Sequence, residues 1–168
     1  MSYFAAVLTR SGDRWNGAEA VLDDCESLGD LGDVLRDVSG NVRLLLIEQD
    51  DEYAAIVRLD SSDDDPRAFL SDGHAADRYP MAAIVAEELV EIGAQQGEEL
   101  EDDENLLSDT PPVHDSAPFG DPDVAHDLGT SEADLVAMCE HEGTLPVDLL
   151  LAVCEKAGCG EVFEDLRG

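Results

Sequence analysis

The sequence predicts an α+β protein: a small mixed or antiparallel sheet with two helices, followed by a small all-helical piece. Three observations lead to this class. Short apolar runs and two stretches of helical spacing occur in residues 1–93, where we expect an α+β domain. Residues 94–118 hold eight acids and no Lys or Arg, which predicts a flexible acidic linker. Residues 119–168 carry helix-start and helix-stop signals, and we expect them to form a helical domain.

The strands of the first part are predicted from apolar runs; a continuous run is typical of a strand covered on both faces. Turn residues at Ser11–Asp13 and Trp15–Gly17 separate the first two strands. The acidic reversal Glu48–Glu52 makes the third and fourth strands a hairpin. The predicted strands are, in chain order, Tyr3–Leu8, Ala18–Leu22, Val42–Ile47, Tyr53–Leu59 and Arg67–Leu70.

Two helices are predicted in the first part from the spacing of their apolar residues. The first covers Asp24–Val38, where leucines recur at helical intervals and Ser39–Asn41 stops the pattern. The second opens at Tyr79-Pro80, because proline suits the first turn of a helix. Its apolar stripe continues to Ile92, and Gly93 is its expected C-cap.

Three helices and a last helical turn or two are predicted near the C-terminal end. Asp121-Pro122 opens a short one that Gly129 closes, and Ser131 caps the next. Thr144 is the expected cap of a further helix that ends at Gly158, and a last turn or two follows. A helical piece of this size rarely stabilises itself alone. We therefore expect residues 119–168 to dock on the sheet or on a second chain.

Charge is the outstanding feature of the composition. The chain has 41 acidic residues against nine basic ones, a net charge of -32. Such a field disfavours direct binding to nucleic acid or to an anionic membrane, since both require Lys and Arg to neutralise phosphates. It favours encounters with basic protein surfaces. Solubility, or adaptation to a salty cytoplasm, is the alternative interpretation of the acidity.

The sequence shows no segment that would take the chain to a membrane. There is no apolar stretch of about 18 residues, as a membrane-spanning helix would need, and the first residues lack the pattern of a signal peptide. We therefore expect a cytoplasmic protein whose four cysteines are reduced thiols. A homo-oligomer is left open.

Metal and catalytic motifs were considered and are not predicted. A zinc site could draw on Cys139, His141, Cys154 and Cys159, but the first two face different sides of a helix and the Cys139 and Cys154 thiols fall on apolar stripes. We expect no metal, no cofactor and no catalytic residue. His74, after a strand end, is the one candidate for a site of unrecognised type. Phosphate-binding glycine motifs and the His-x-Glu and Pro-Cys-x-x-Cys motifs of zinc deaminases are absent.

Six segments of the chain form a pattern by their order and spacing. They are Met1–Ala6, Gly12–Trp15, Asp50–Glu52, Asp65–Asp72, Phe119–Asp123 and Gly143–Pro146. This pattern resembles the actinobacterial family of tRNA adenosine deaminase-associated proteins. The resemblance implies a gene that lies beside that of a tRNA adenosine deaminase, and it carries over no catalytic residue. The missing deaminase motifs agree with an accessory role.

Three functional hypotheses follow. The first is a non-catalytic accessory or regulatory protein that binds a basic protein partner, with a tRNA adenosine deaminase as the partner that the resemblance names. The second is an enzyme of unrecognised type with a site near His74. The third is an acidic mimic of nucleic acid, whose carboxylates imitate phosphates.

Overall fold

The computed structural model describes residues 3–62, 66–86, 118–141 and 143–167. Its strands are β1 (Tyr3–Ser11), β2 (Arg14–Glu19), β3 (Val42–Gln49), β4 (Tyr53–Arg58), β5 (Arg67–Leu70) and β6 (Phe119–Gly120). Its helices are α1 (Leu28–Arg36), α2 (Ala75–Arg78), α3 (residues 80–86), α4 (Glu132–Glu140), α5 (Pro146–Ala157) and α6 (Gly160–Arg167), with a 3-10 turn at His126–Leu128.

The strands form one antiparallel sheet in the order β2-β1-β3-β4-β5-β6. This confirms the predicted α+β class. The central strands β3 and β4 are buried along almost their whole length. Burial on both faces explains why their sequences read as continuous apolar runs rather than as alternating patterns.

Helices cover both faces of the sheet. On one face, Val7, Leu45 and Val57 pack against α1, α2 and α3. On the other face, Leu8 and Leu46 pack against the C-terminal helices through residues that include Val153 and Phe163. Successive strand residues alternate between the two cores because side chains in a strand point alternately to opposite faces.

The described C-terminal residues dock on the sheet, the first of the two expected arrangements. β6 extends the sheet by pairing with β5, so that Arg67–Leu70 is not the last strand. The predicted division of the chain at residues 93 and 118 stays a prediction. Most of the linker, residues 94–117, and the predicted helix end at Gly93 lie outside the described residues.

The prediction for the second strand was wrong in its position. β2 begins at Arg14, and Trp15–Gly17 lies in the strand rather than in a turn. The chain reverses earlier, at Gly12-Asp13, where Gly12 adopts φ +66°. A glycine with positive φ at the first central position is what a type II′ hairpin turn requires, and this turn pairs the following residues with β1 at once.

The helix ends predicted from the sequence agree with those of the structure at two positions and differ at two others. α1 is shorter than predicted, because Ser27 caps it by accepting the backbone N–H of Asp30 at 3.1 Å. The Ser131 and Gly158 caps are confirmed. Thr144 is not the cap of α5; Leu145 holds that position, and its N–H donates to the Asp148 carboxylate at 3.4 Å.

No helix within the described ranges has both the length and the apolar character needed to cross a bilayer.

A buried arginine joins the C-terminal layer to the sheet. Arg58, at the end of β4, is only 2% exposed. Its Nε and Nη2 donate to the two carboxylate oxygens of Asp60 at 2.8 Å. Its Nη1 and Nη2 donate to Asp127 at 2.6 and 2.9 Å, and Nη1 also donates to the Val124 carbonyl at 2.9 Å. All five N–H donors of the guanidinium are therefore satisfied.

Two further arginines hold helices to β3. Arg43 donates to the Leu35 and Val38 carbonyls at 3.1 Å, which satisfies the open carbonyls at the end of α1. Arg167 of α6 donates to the buried Glu48 carboxylate at 2.9 Å, and its guanidinium carbon lies 5.1 Å from the centre of the Phe4 ring. Each of these contacts lies where a helix meets the sheet.

Replacing the buried arginine should weaken the fold far more than replacing an exposed one. Arg58→Met keeps the apolar stem but leaves two carboxylates and a carbonyl without their donor, so we expect a loss of about 3 kcal/mol in the free energy of unfolding. Arg36→Met removes an exposed pair with Asp33 and should cost at most about 0.5 kcal/mol. Urea denaturation of both variants checks this; equal losses would contradict the role of Arg58.

The Arg58–Asp127 pair should also make stability depend on pH. The hydrogen bond from Arg58 lowers the pKa of Asp127 in the folded state. The stabilisation is therefore complete above the unfolded pKa of about 3.9 and is lost as pH falls from there through the folded pKa. We expect the difference in unfolding free energy between wild type and Asp127→Asn to shrink as pH falls below about 4. Urea denaturation at a series of pH values measures it, and a difference that does not change with pH would contradict the pair.

Candidate functional site

A groove lies between the start of β2 and the last two helices. Its volume is about 640 Å³. α6 packs directly on β2 there: a β-carbon built at Gly17 would lie 2.7 Å from Val162 Cγ1 and 2.8 Å from Leu166 Cδ1. The groove is lined by Asp13, Arg14, Trp15, Glu155, Gly158, Gly160, Glu161, Val162 and Glu164.

Trp15 forms an aromatic wall of the groove and is fixed in place. Its indole N–H donates to the Ala157 carbonyl at 3.2 Å, at the end of α5. The Arg10 guanidinium carbon lies 5.7 Å from the centre of the ring, on the same hairpin. Gly158 follows with φ +98° and so ends the helix beside the indole. The tryptophan therefore joins the β1–β2 hairpin to the C-terminal helices.

The charge of the groove is unbalanced. Four exposed carboxylates line it, those of Asp13, Glu155, Glu161 and Glu164, against the single guanidinium of Arg14. Within the described part of the chain, none of the four forms an ion pair. Unpaired carboxylates close together repel one another, and a cation placed among them lowers that repulsion. The groove is therefore suited to a positively charged group.

Most basic residues are engaged elsewhere with the chain's own acids. Besides the pairs of Arg58 and Arg167, the ion pairs of Lys and Arg among the described residues include Arg36–Asp33, Arg67–Asp121, Arg78–Glu52 and Lys156–Asp134. These pairs leave few cations to neutralise the surface, and this explains why the groove keeps its negative charge.

β2 is the edge strand beside this groove. Only β1 pairs with it among the described strands. All of its residues are exposed except Trp15, which is half-buried. The groove and the open edge thus form one continuous surface, to which the hairpin and α6 both contribute.

His74, the histidine considered for catalysis, lies at the surface of the described part of the chain. It is exposed and precedes α2, and its backbone N–H donates to Asp72 at 2.8 Å. A pocket of about 200 Å³ lies nearby, lined by residues that include Ser71, Asp72 and Cys139, but not by His74. Burial raises the pKa of the Cys139 thiol to about 12, so this thiol is protonated at neutral pH. These positions give the hypothesis of an enzyme near His74 no support.

The cysteines considered for zinc are distributed as packing residues. Cys154 and Cys159 are buried in the core under the C-terminal helices, and Cys139 packs at its margin. Interaction with the neighbouring Cys159 thiol, together with burial, raises the pKa of Cys154. His141 is exposed, 3.0 Å from the Thr144 hydroxyl. In the described ranges, no three His, Cys, Asp or Glu residues are grouped to hold a metal ion.

The sequence did not reveal this surface. Residues 13–15 and 155–164 are far apart in the chain, and Trp15–Gly17 was assigned to a turn. The one local signal was Gly12-Asp13, whose type II′ turn predicts that Arg14 and Trp15 start a strand.

Comparison with known proteins identifies a family for this chain. No curated protein and no solved structure matches this chain. Residues 3–160 match the family of Rv3753c-like tRNA adenosine deaminase-associated proteins, over nearly the whole chain. The resemblance seen in the sequence is confirmed: this chain belongs to the Rv3753c-like tRNA adenosine deaminase-associated protein family.

Proposed function

We propose that this protein is a non-catalytic, cytoplasmic accessory protein that binds a basic surface of a tRNA adenosine deaminase through the acidic groove. The observation that carries the proposal is the set of four carboxylates around Trp15 that form no ion pair with any described residue. The family name supplies the deaminase as the partner to test.

The electrostatics support a basic protein partner. An enzyme that acts on tRNA needs a basic surface to neutralise phosphates. A chain of net charge -32 accelerates encounters with such a surface and disfavours direct binding to RNA. Binding would then occupy part of the RNA-binding surface or change the access of RNA to it.

The aromatic wall adds a second kind of contact. The face of a tryptophan attracts an arginine or lysine cation by about 0.5–1 kcal/mol at an exposed site. Arg10 already lies near the Trp15 ring, and the indole N–H is bonded to Ala157, so the ring is held in one orientation. A rigid aromatic side chain among carboxylates is suited to an arginine of the partner.

Neutralising the groove should weaken binding more than neutralising another surface of equal charge. We expect the triple variant Glu155→Gln, Glu161→Gln, Glu164→Gln to bind the deaminase of the same genome about ten-fold more weakly, because three short-range attractions are lost. Isothermal titration calorimetry at about 0.05 M salt measures it, and about 0.5 M salt should weaken the wild-type complex.

The matched control is the triple variant Asp24→Asn, Glu26→Gln, Asp37→Asn. These exposed residues flank α1 on the opposite face of the sheet, and the net charge changes by the same amount. The control variant should lose only the long-range part of the electrostatic attraction, and its affinity for the deaminase should fall about two-fold. Equal losses in both variants would contradict a role for the groove, and no binding by wild type at low salt would contradict the proposed function.

A further inference from the structure

We infer that the outer edge of β2 accepts an extended segment of the basic partner as an additional antiparallel strand. Alternate side chains of that segment, lysine or arginine, would lie on the α6 side of the sheet, next to the acidic groove. This inference rests on the proposed function and specifies how the partner binds.

The hydrogen-bonding pattern of the hairpin shows which backbone groups of β2 are open. Ala20 N–H donates to the Ala5 carbonyl at 2.9 Å. Bonded pairs alternate along an antiparallel ladder, so Ala18 and Asn16 also bond towards β1. The N–H and C=O groups of Trp15, Gly17 and Glu19 therefore face outward. No described strand pairs with them.

The middle of β2 lacks the usual protection of an exposed edge. Native edge strands are commonly blocked by charged side chains, by proline or by a bulge. β2 has charged residues only at its two ends, Arg14 and Glu19; it contains no proline, and its register with β1 runs without interruption from Glu19 to Arg14. An open edge of six residues is long enough for the main-chain pairing seen in strand addition.

The direction of the side chains connects this edge to the groove. Gly17 faces α6, because a β-carbon there would meet Val162 and Leu166. Trp15 and Glu19 lie on the same face as Gly17, since side chains alternate along a strand. Residues of an added strand that pair with these three would point to that face as well. Their side chains would lie towards Glu161 and Glu164.

The negative charge beside β2 favours a basic segment of the partner, rather than a second copy of this chain, as the added strand. A second copy of this chain, paired through its own β2 about Gly17, would place its α6 on the same face of the joined sheet. Glu161 and Glu164 of both copies would then approach one another, in a complex of two chains that each carry a net charge of -32. Like charges in that arrangement oppose pairing. A segment with basic residues at alternate positions has the complementary pattern.

Two peptides of equal charge test the inference with the full-length protein. The first is Lys-Val-Lys-Val-Lys-Val-Lys. The second is identical except that the backbone nitrogen of every lysine is methylated, which keeps each charge but removes the donors that would pair with β2. We expect the first peptide to bind and the second to bind at least about ten-fold more weakly, as measured by calorimetry at low salt.

Amide hydrogen exchange followed by NMR gives the second readout. In the free protein the amides of Trp15, Gly17 and Glu19 should exchange fast, while those of Asn16 and Ala18 are protected by β1. With the first peptide, or with the deaminase, Gly17 and Glu19 should become protected at least about ten-fold, and the protection of Asn16 and Ala18 should change little.

The outcomes separate this inference from the proposed function. Equal affinity of the two peptides, or a deaminase complex in which the Gly17 and Glu19 amides still exchange fast, would overturn strand addition and leave groove binding standing. Failure of the first peptide to bind would overturn strand addition by an alternating basic segment. Loss of deaminase binding in the groove triple variant, with protection of both amides in the wild-type complex, would support both.

Discussion

The fold depends on the buried guanidinium of Arg58. It lies at the end of β4 and binds the chain 66 and 69 residues further on, at Val124 and Asp127. If this arginine lacked some of its acceptors, it would be a buried charge without hydrogen-bond partners, which would strongly destabilise the fold. The folded state therefore needs all of the acceptors in place. Because Val124 and Asp127 are among them, the turn that leads into α4 is held at the same site. In this way one side chain determines where the C-terminal helices begin on the sheet.

The scarcity of basic residues gives this arrangement a consequence at the surface. Arg43, Arg58 and Arg167 are used at junctions between helices and the sheet, where they bind carbonyls or carboxylates. With nine basic residues against 41 acids, the arginines engaged at these junctions are not available to neutralise other parts of the surface. The junctions and the negative groove beside β2 therefore both follow from where the few cations lie.

The sequence predicted what depends on local pattern and missed what depends on contacts across the chain. Val42–Ile47 was assigned to a strand because burial on both faces produces an uninterrupted apolar run. β2 was placed wrongly because it is an edge strand, with asparagine and glycine that favour turns when considered alone. The Arg58 cluster and the groove each bring together residues more than sixty positions apart. The spacing of apolar residues along the sequence contains no information on such long-range contacts.

Gly17 connects the fold to the surface proposed for binding. A β-carbon there would lie 2.7 Å from Leu8 and Val162 and 2.8 Å from Leu166, so a larger residue would push side chains of α6 away from this edge strand. If α6 were displaced, Glu161 and Glu164 would move away from β2 and the groove would lose its second wall. The N–H and C=O groups of Gly17 point in another direction, outward in the plane of the sheet, and no described strand pairs with them. The close approach of α6 to the face of the sheet and the open backbone at its edge therefore meet at this one residue.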